Sequence, residues 1–177
     1  MIGIVCLEER RGMQFGGRRV SRDRVVTEKI CELCEGKTLW MNPASEKLFA
    51  EQKESGKVTL QAAADFLEQA GEGEYCFVEN TGLQAVEAKI EKSIVFWWNR
   101  HYPSDRKFDL DLSKWNKVSE EEFAGYSHEK ITKEVYESIE LGNFENFRDY
   151  VPKLREIALA HHLDDVPMSH VLEQGDL

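Results

Sequence analysis

Six arginines, Arg10, Arg11, Arg18, Arg19, Arg22 and Arg24, fall between positions 10 and 24 of a chain whose net charge is −10. Such a run is either a solvated basic face balancing acidic neighbours or an anion site, because the guanidinium fork suits phosphate and carboxylate. Asp23 stands inside the run, between Arg22 and Arg24. An aspartate in the first turn of a helix is a partner for the helix dipole, and two flanking cations lower its pKa.

Cys31 and Cys34 have the spacing of a redox or metal-binding pair. A zinc site needs two more ligands at suitable spacing, and the sequence holds no second such pair, so no metal site is expected. The pair falls inside a helix and not at its N-terminus, where a thiolate would be favoured, so it reads as packing. Phe96, Trp97 and Trp98 follow one another on a strand. Alternation puts Trp97 on one face and the other two on the opposite face, as core or as a wall on which a ligand stacks. His161 and His162 precede Asp164 and Asp165. Adjacent histidines on a helix diverge, so these mark a surface helix end.

The elements that would hold these residues are legible from pattern. Met1–Leu7 (MIGIVCL), Thr38–Met41 (TLWM), Tyr75–Val78 (YCFV) and Ser93–Trp98 (SIVFWW) are short apolar runs that read as buried strands. Glu8–Gly17 reads as a polar loop. Ser21 is a suitable N-cap for a helix carrying Val25, Val26, Ile30, Leu33 and Cys34, stopped by Gly36. Asn42 and Pro43 open a second helix through Gln52, and a third is expected over Leu60–Ala70. Val58–Leu60 is a short strand or a connection, and Leu83–Lys89 is helical. Strands alternating with helices argue for a mostly parallel sheet covered on both faces. Phe108–Leu112, Trp115–Val118 and Ile131–Tyr136 then look extended with no helix between them, the order of an added antiparallel hairpin. A last helix is expected from about 149 to 163.

This order resembles that of the dihydrofolate reductase family, and particular residues carry the likeness. MIGIVCLEERRGMQFGGRRVSRDR resembles the family's first strand, mobile loop and substrate helix, with Gly12-Met13 at the loop glycine and Ser21-Arg22-Asp23 at the helix start. Gly36–Met41 (GKTLWM) resembles the GKTVIM strand, and Ser104–Phe108 (SDRKF) resembles the GDTxFP loop. The resemblance covers residues 1–137. It implies an α/β, three-layer dihydrofolate reductase-like domain, with a mostly parallel sheet and an antiparallel C-terminal hairpin. Residues 138–177 follow as a C-terminal helical extension.

The resemblance implies NADPH as hydride donor to a pterin or related heterocycle, with Asp23 as the catalytic acid, its pKa raised by burial. Departures fall on the cofactor contacts. The family's GRxT phosphate grip reads Asn42-Pro43-Ala44-Ser45, where only Ser45 keeps the hydroxyl. The paired glycines read Glu79-Asn80-Thr81-Gly82, and Glu79 sets a negative charge where pyrophosphate would lie unless a cation intervenes. The threonine that partners the acid is Phe96. Cofactor-binding candidates are therefore Ser45, Asn80, Thr81 and Gly82, with Arg11, Arg18 or Arg19 supplying charge from the opposite loop. The alternative is a non-catalytic binding or regulatory protein that turns the arginine loop and the C-terminal helix toward an anionic ligand or a protein partner.

Composition bounds both readings. Apolar residues make up 41% and charged residues 32% of 177, enough for a core. With 33 acidic against 23 basic side chains, general nucleic-acid binding is not expected. No apolar run approaches the roughly 18 residues of a membrane span. The N-terminus lacks a signal-peptide core, so a cytoplasmic setting with four reduced cysteines is expected.

Overall fold

The computed structural model describes residues 1–138. Its centre is a seven-stranded sheet in the order β5-β4-β6-β1-β7-β10-β9. β1 (Ile2–Leu7) lies in the middle because both its faces are apolar, the mark of a strand covered on two sides. It runs parallel to β6 (Tyr75–Phe77) and to β7 (Lys92–Trp97), with Cys6 opposite Phe96 and Leu7 opposite Trp97. β4 (Thr38–Met41) and β5 (Thr59–Ala62) extend the parallel part. β9 (Trp115–Phe123) and β10 (Ile131–Ser138) form the antiparallel hairpin, which joins the sheet through β10 and β7.

Period-two alternation sorts the side chains into two apolar layers. Val5, Leu7 and Val95 enter a core with Phe66, Leu83, Phe108 and Trp115. Ile4, Ile94, Phe96 and Trp98 enter the other, against Val26, Ile30 and Phe49. Trp97 packs on the first layer while Phe96 and Trp98 join the second, as the strand period requires. Cys31, Cys34 and Cys76 are buried among these residues, and burial pushes their thiols up to about 11, 12 and 12. Cys6 is partly buried: it packs against the second layer and also lines the small pocket described below.

Three expectations are corrected. The helix expected over Leu60–Ala70 is α3, Phe66–Gln69 alone, because Thr59–Ala62 pairs along β4 and Ala63 N–H donates to Met41 O at 3.0 Å. The free edge of β4 outcompetes an apolar spacing that fits a helix equally well. Phe108–Leu112 is not a strand, although Phe108 and Leu110 are buried as alternation suggests. Its backbone is held by Phe108 N–H on Arg11 O, by the Arg11 guanidinium on Leu110 O, and by a 3-10 turn at Leu112–Lys114. The polar loop after β1 leads into β2 (Gly12–Phe15) and β3 (Arg18–Arg19); β2 pairs with both β3 and β8 (Arg106–Lys107) in a small antiparallel sheet. Gly16 and Gly17, both at positive φ, make its two-residue turn.

The segment after Asn42 opens with Pro43 as expected but winds as a 3-10 helix, Pro43–Phe49, before α2, Ala50–Ser55. Leu83–Lys89 is likewise a 3-10 helix over Gln84–Lys89. The helix expected near 149–163, the histidine pair and the extension beyond 138 lie outside the described residues. Among the described residues no helix is long and apolar enough to cross a membrane.

Candidate functional site

Asp23 sits where α1 (Arg24–Leu33) meets the turn between β9 and β10. It is itself the N-cap of α1: Oδ1 accepts Val25 N–H at 2.9 Å from an extended backbone. Ser21, the expected cap, lies outside the helix. The β9–β10 turn wraps the same carboxylate. Tyr126 N–H donates to Oδ1 at 2.9 Å, Ser127 N–H to Oδ2 at 2.8 Å, and Ser127 Oγ–H to Oδ2 at 3.2 Å. His128 Nδ1 lies 2.9 Å from Oδ2. Gly125 permits this wrapping, since a Cβ there would fall 2.6 Å from Oδ2.

The electrostatics of Asp23 reverse the expectation of a raised acid. Burial raises its pKa, but hydrogen bonds from His128, Tyr126, Ser127 and Val25 outweigh that and hold the carboxyl below the ordinary aspartate range. The flanking arginines are not among its leading causes. A carboxylate only accepts, so His128 Nδ1 must carry the proton in this contact. Nε2 then faces two hydroxyls, Ser21 Oγ at 3.0 Å and Tyr102 OH at 3.0 Å. The indole of Trp98 stacks on the imidazole with centroids 4.6 Å apart. Its Nε1–H is buried with no partner among the described residues.

A second polar cluster lies across the cleft. Arg19 grips Glu79 with both ends of its fork, Nε to Oε2 at 3.0 Å and Nη2 to Oε1 at 2.9 Å. Ser45, fully buried, donates to Glu79 Oε1 at 2.6 Å and accepts from Asn42 Nδ2 at 2.8 Å. The cation that Glu79 requires is thus Arg19.

Between the clusters runs an open cleft of about 810 Å³, whose walls include Arg18, Arg22, Arg106, Asn42 and Asn80. A small pocket lined by Cys6, Ser21, Asp23, Trp98 and Glu79 shares Ser21, Arg22 and Glu79 with it. Beyond Asp23 a second opening of about 460 Å³ is lined by Arg22, Arg24, Lys47 and Glu51.

Of the residues singled out in sequence, Arg18, Arg19 and Asn80 line the cleft. Ser45 supports it from beneath through Glu79. Arg11 does not join them: its guanidinium covers the Phe108 ring at 5.3 Å and donates to Leu110 O. Thr81 is half-buried beside Asn80. Gly82 is pressed against Asp109, where a Cβ would meet Oδ2 at 2.1 Å. That carboxylate also accepts Leu83 N–H at 2.7 Å. Ser21, Tyr102, Arg106 and His128 were not legible as site residues. A hydroxyl and a histidine 107 positions apart carry no spacing signal; only the fold brings them together.

The fold is dihydrofolate reductase-like. Among solved structures it resembles "Dihydrofolate reductase from Enterococcus faecalis complexed with NADP(H)and RAB-propyl", with a TM-score of 0.57 over 77% of this chain and 95% of that one, at 12% sequence identity. No family model matches the chain, and comparison with curated proteins finds no relative.

Proposed function

We propose that this dihydrofolate reductase-like protein binds an anionic small molecule in the arginine-walled cleft, and that Asp23 does not act as an acid toward a pterin. One observation carries the reading. Arg18, Arg22 and Arg106 line the cleft with no ion-pair partner among the described residues, while the acid on its wall, Glu79, is neutralised by Arg19. Three free guanidinium groups facing one concavity concentrate positive potential in a protein that is acidic as a whole. A cleft of about 810 Å³ is within the range of small-molecule sites.

The residues do not fit the way the family holds NADPH. Pyrophosphate approaches bare backbone at paired glycines and a helix N-terminus. Here Glu79 replaces the first glycine, and Gly82 is already covered by the Asp109 carboxylate. Pro43 offers no N–H, and Ala44 N–H is taken by Asn42 Oδ1 at 2.8 Å. A second reading, an NADPH-dependent reductase of a pterin or related heterocycle, draws on the same arginines, which could neutralise phosphates from the β2–β3 wall. NADP(H) is bound by the enterococcal enzyme with the shared fold.

Thermal melting of the full chain with inorganic pyrophosphate and with NADPH separates the two. The anion reading predicts stabilisation by pyrophosphate that fades in high salt and in Arg22→Ala/Arg106→Ala. Stabilisation by NADPH alone, with oxidation of NADPH by dihydrofolate lost in Asp23→Asn, would establish the reductase instead.

A further inference from the structure

We propose that Ser21, His128 and Asp23 form a nucleophilic unit that hydrolyses a small carboxylic ester bound in the cleft. The three side chains are connected as such a unit requires. Asp23 Oδ2 is 2.9 Å from His128 Nδ1, and His128 Nε2 is 3.0 Å from Ser21 Oγ. The carboxylate is buried and fixed by backbone N–H groups, so it sets both the tautomer and the orientation of the imidazole. Trp98 fixes the ring from its face. Ser21, in contrast, is only partly buried and lines both the small pocket and the open cleft. The hydroxyl end of the unit therefore faces substrate while the carboxylate end faces protein.

The neighbouring groups suit acyl transfer. The tetrahedral intermediate of such a reaction carries a negative oxygen that needs donors. The indole N–H of Trp98, buried and unpartnered among the described residues, lies in the same small pocket as Ser21 and is one such donor.

The steps balance with water as the sole co-reactant. Ser21 Oγ adds to the ester carbonyl carbon while its proton passes to His128 Nε2. The ester C–O bond breaks, and Nε2 returns the proton to the departing alkoxide oxygen. Water then adds to the acyl-serine carbonyl and gives a proton to Nε2. The serine C–O bond breaks, Ser21 recovers that proton, and a carboxylic acid leaves. Asp23 is a positioning residue throughout; Ser21 and His128 touch the reacting atoms. That the natural ester carries an anionic group rests on the reading of the arginine cleft, but the nucleophilic unit does not.

The test uses the full chain with two uncharged probes, a fluorophosphonate and p-nitrophenyl acetate, so it is independent of anion binding. Peptide mass spectrometry is expected to find one phosphonyl group, on Ser21. Ser21→Ala, which removes a single oxygen atom, is expected to keep the melting temperature and to lower ester hydrolysis by about 100-fold or more. His128→Gln is expected to stop labelling while Ser21 is still present. Absence of label on Ser21 in the folded chain overturns the proposal, and so does label on Tyr102 instead, or equal labelling in urea. Pyrophosphate binding without labelling would sink the nucleophile and leave the cleft reading standing; labelling without pyrophosphate binding would do the reverse.

Discussion

Asp23 Oδ2 and His128 Nδ1 meet at 2.9 Å although 105 positions separate them in the chain. The contact ties the start of α1 to the β9–β10 turn, so one carboxylate serves as helix cap, turn anchor and imidazole partner. Its oxygens accept three backbone N–H groups, the Ser127 hydroxyl and the imidazole. Such saturation suits a residue that orients others, and leaves no oxygen free to protonate a heterocycle.

Removing that carboxylate should be costly. Asp23→Ala would leave buried backbone N–H groups without acceptors and is expected to cost about 3–5 kcal/mol, the scale seen when one member of a buried pair is deleted. Urea unfolding of the full chain measures this. A loss under about 1 kcal/mol would show that the turn does not depend on Asp23.

Acid should act through the same group. The folded pKa of Asp23 is depressed, so its contribution is fully present above the ordinary aspartate pKa of about 3.9 and is lost as pH falls toward the folded value. Glu8 adds to the same window: burial raises its pKa, but N–H groups of Gly12, Tyr102 and Arg10 outweigh that and hold it down. Melting temperature should be level near neutrality and drop steeply below about pH 4. Asp23→Asn, already destabilised, should show a shallower drop. Equal slopes in the two proteins would place the acid sensitivity elsewhere.

Much of this scaffold was legible in the sequence, for identifiable reasons. MIGIVCL and SIVFWW are apolar on both faces, so a central parallel strand is almost the only use for them. Trp97 and its two neighbours sorted by face for the same reason. β3 and β8 were not read as strands, and β5 only in part, as a short strand or a connection, because they are short, polar and largely exposed; they exist through pairing with a neighbour. The site divides likewise. Asp23 was legible as a helix-start acid whose pKa could be lowered by flanking cations or raised by burial; the hydrogen bonds that lower it were not legible, because most of the donors come from residues 126–128. The charge problem posed by Glu79 was legible, and Arg19 was already a candidate; their pairing needed the β2–β3 hairpin to fold over the cleft.

The Arg19–Glu79 bridge offers a separate test. Glu79 is buried and Arg19 about three-quarters so, with side-chain exposures of 9% and 27%. Arg19→Ala strands the carboxylate beside Ser45 and should cost about 1–3 kcal/mol, discounted for the exposed side of the guanidinium. Glu79→Gln keeps an acceptor for Ser45 and should cost less. A double-mutant cycle is expected to show coupling, and additive effects would mean the pair contributes nothing.

The cysteines should be slow. With Cys31, Cys34 and Cys76 buried and their thiols pushed up to about 11, 12 and 12, little thiolate exists near neutrality. Iodoacetamide at pH 8 is expected to modify these three only after denaturation. Rapid alkylation of Cys31 or Cys34 in the folded chain would restore a reactive role for the pair.

The cleft itself is tested most directly by calorimetric titration of inorganic pyrophosphate into the full chain, beside Arg22→Ala/Arg106→Ala. Saturable binding is predicted, weakening as salt is raised and falling at least about tenfold in the variant, a change of roughly 1.4 kcal/mol. Absence of binding at low salt, or equal affinity in the two proteins, would contradict the assignment of this cleft to an anionic ligand.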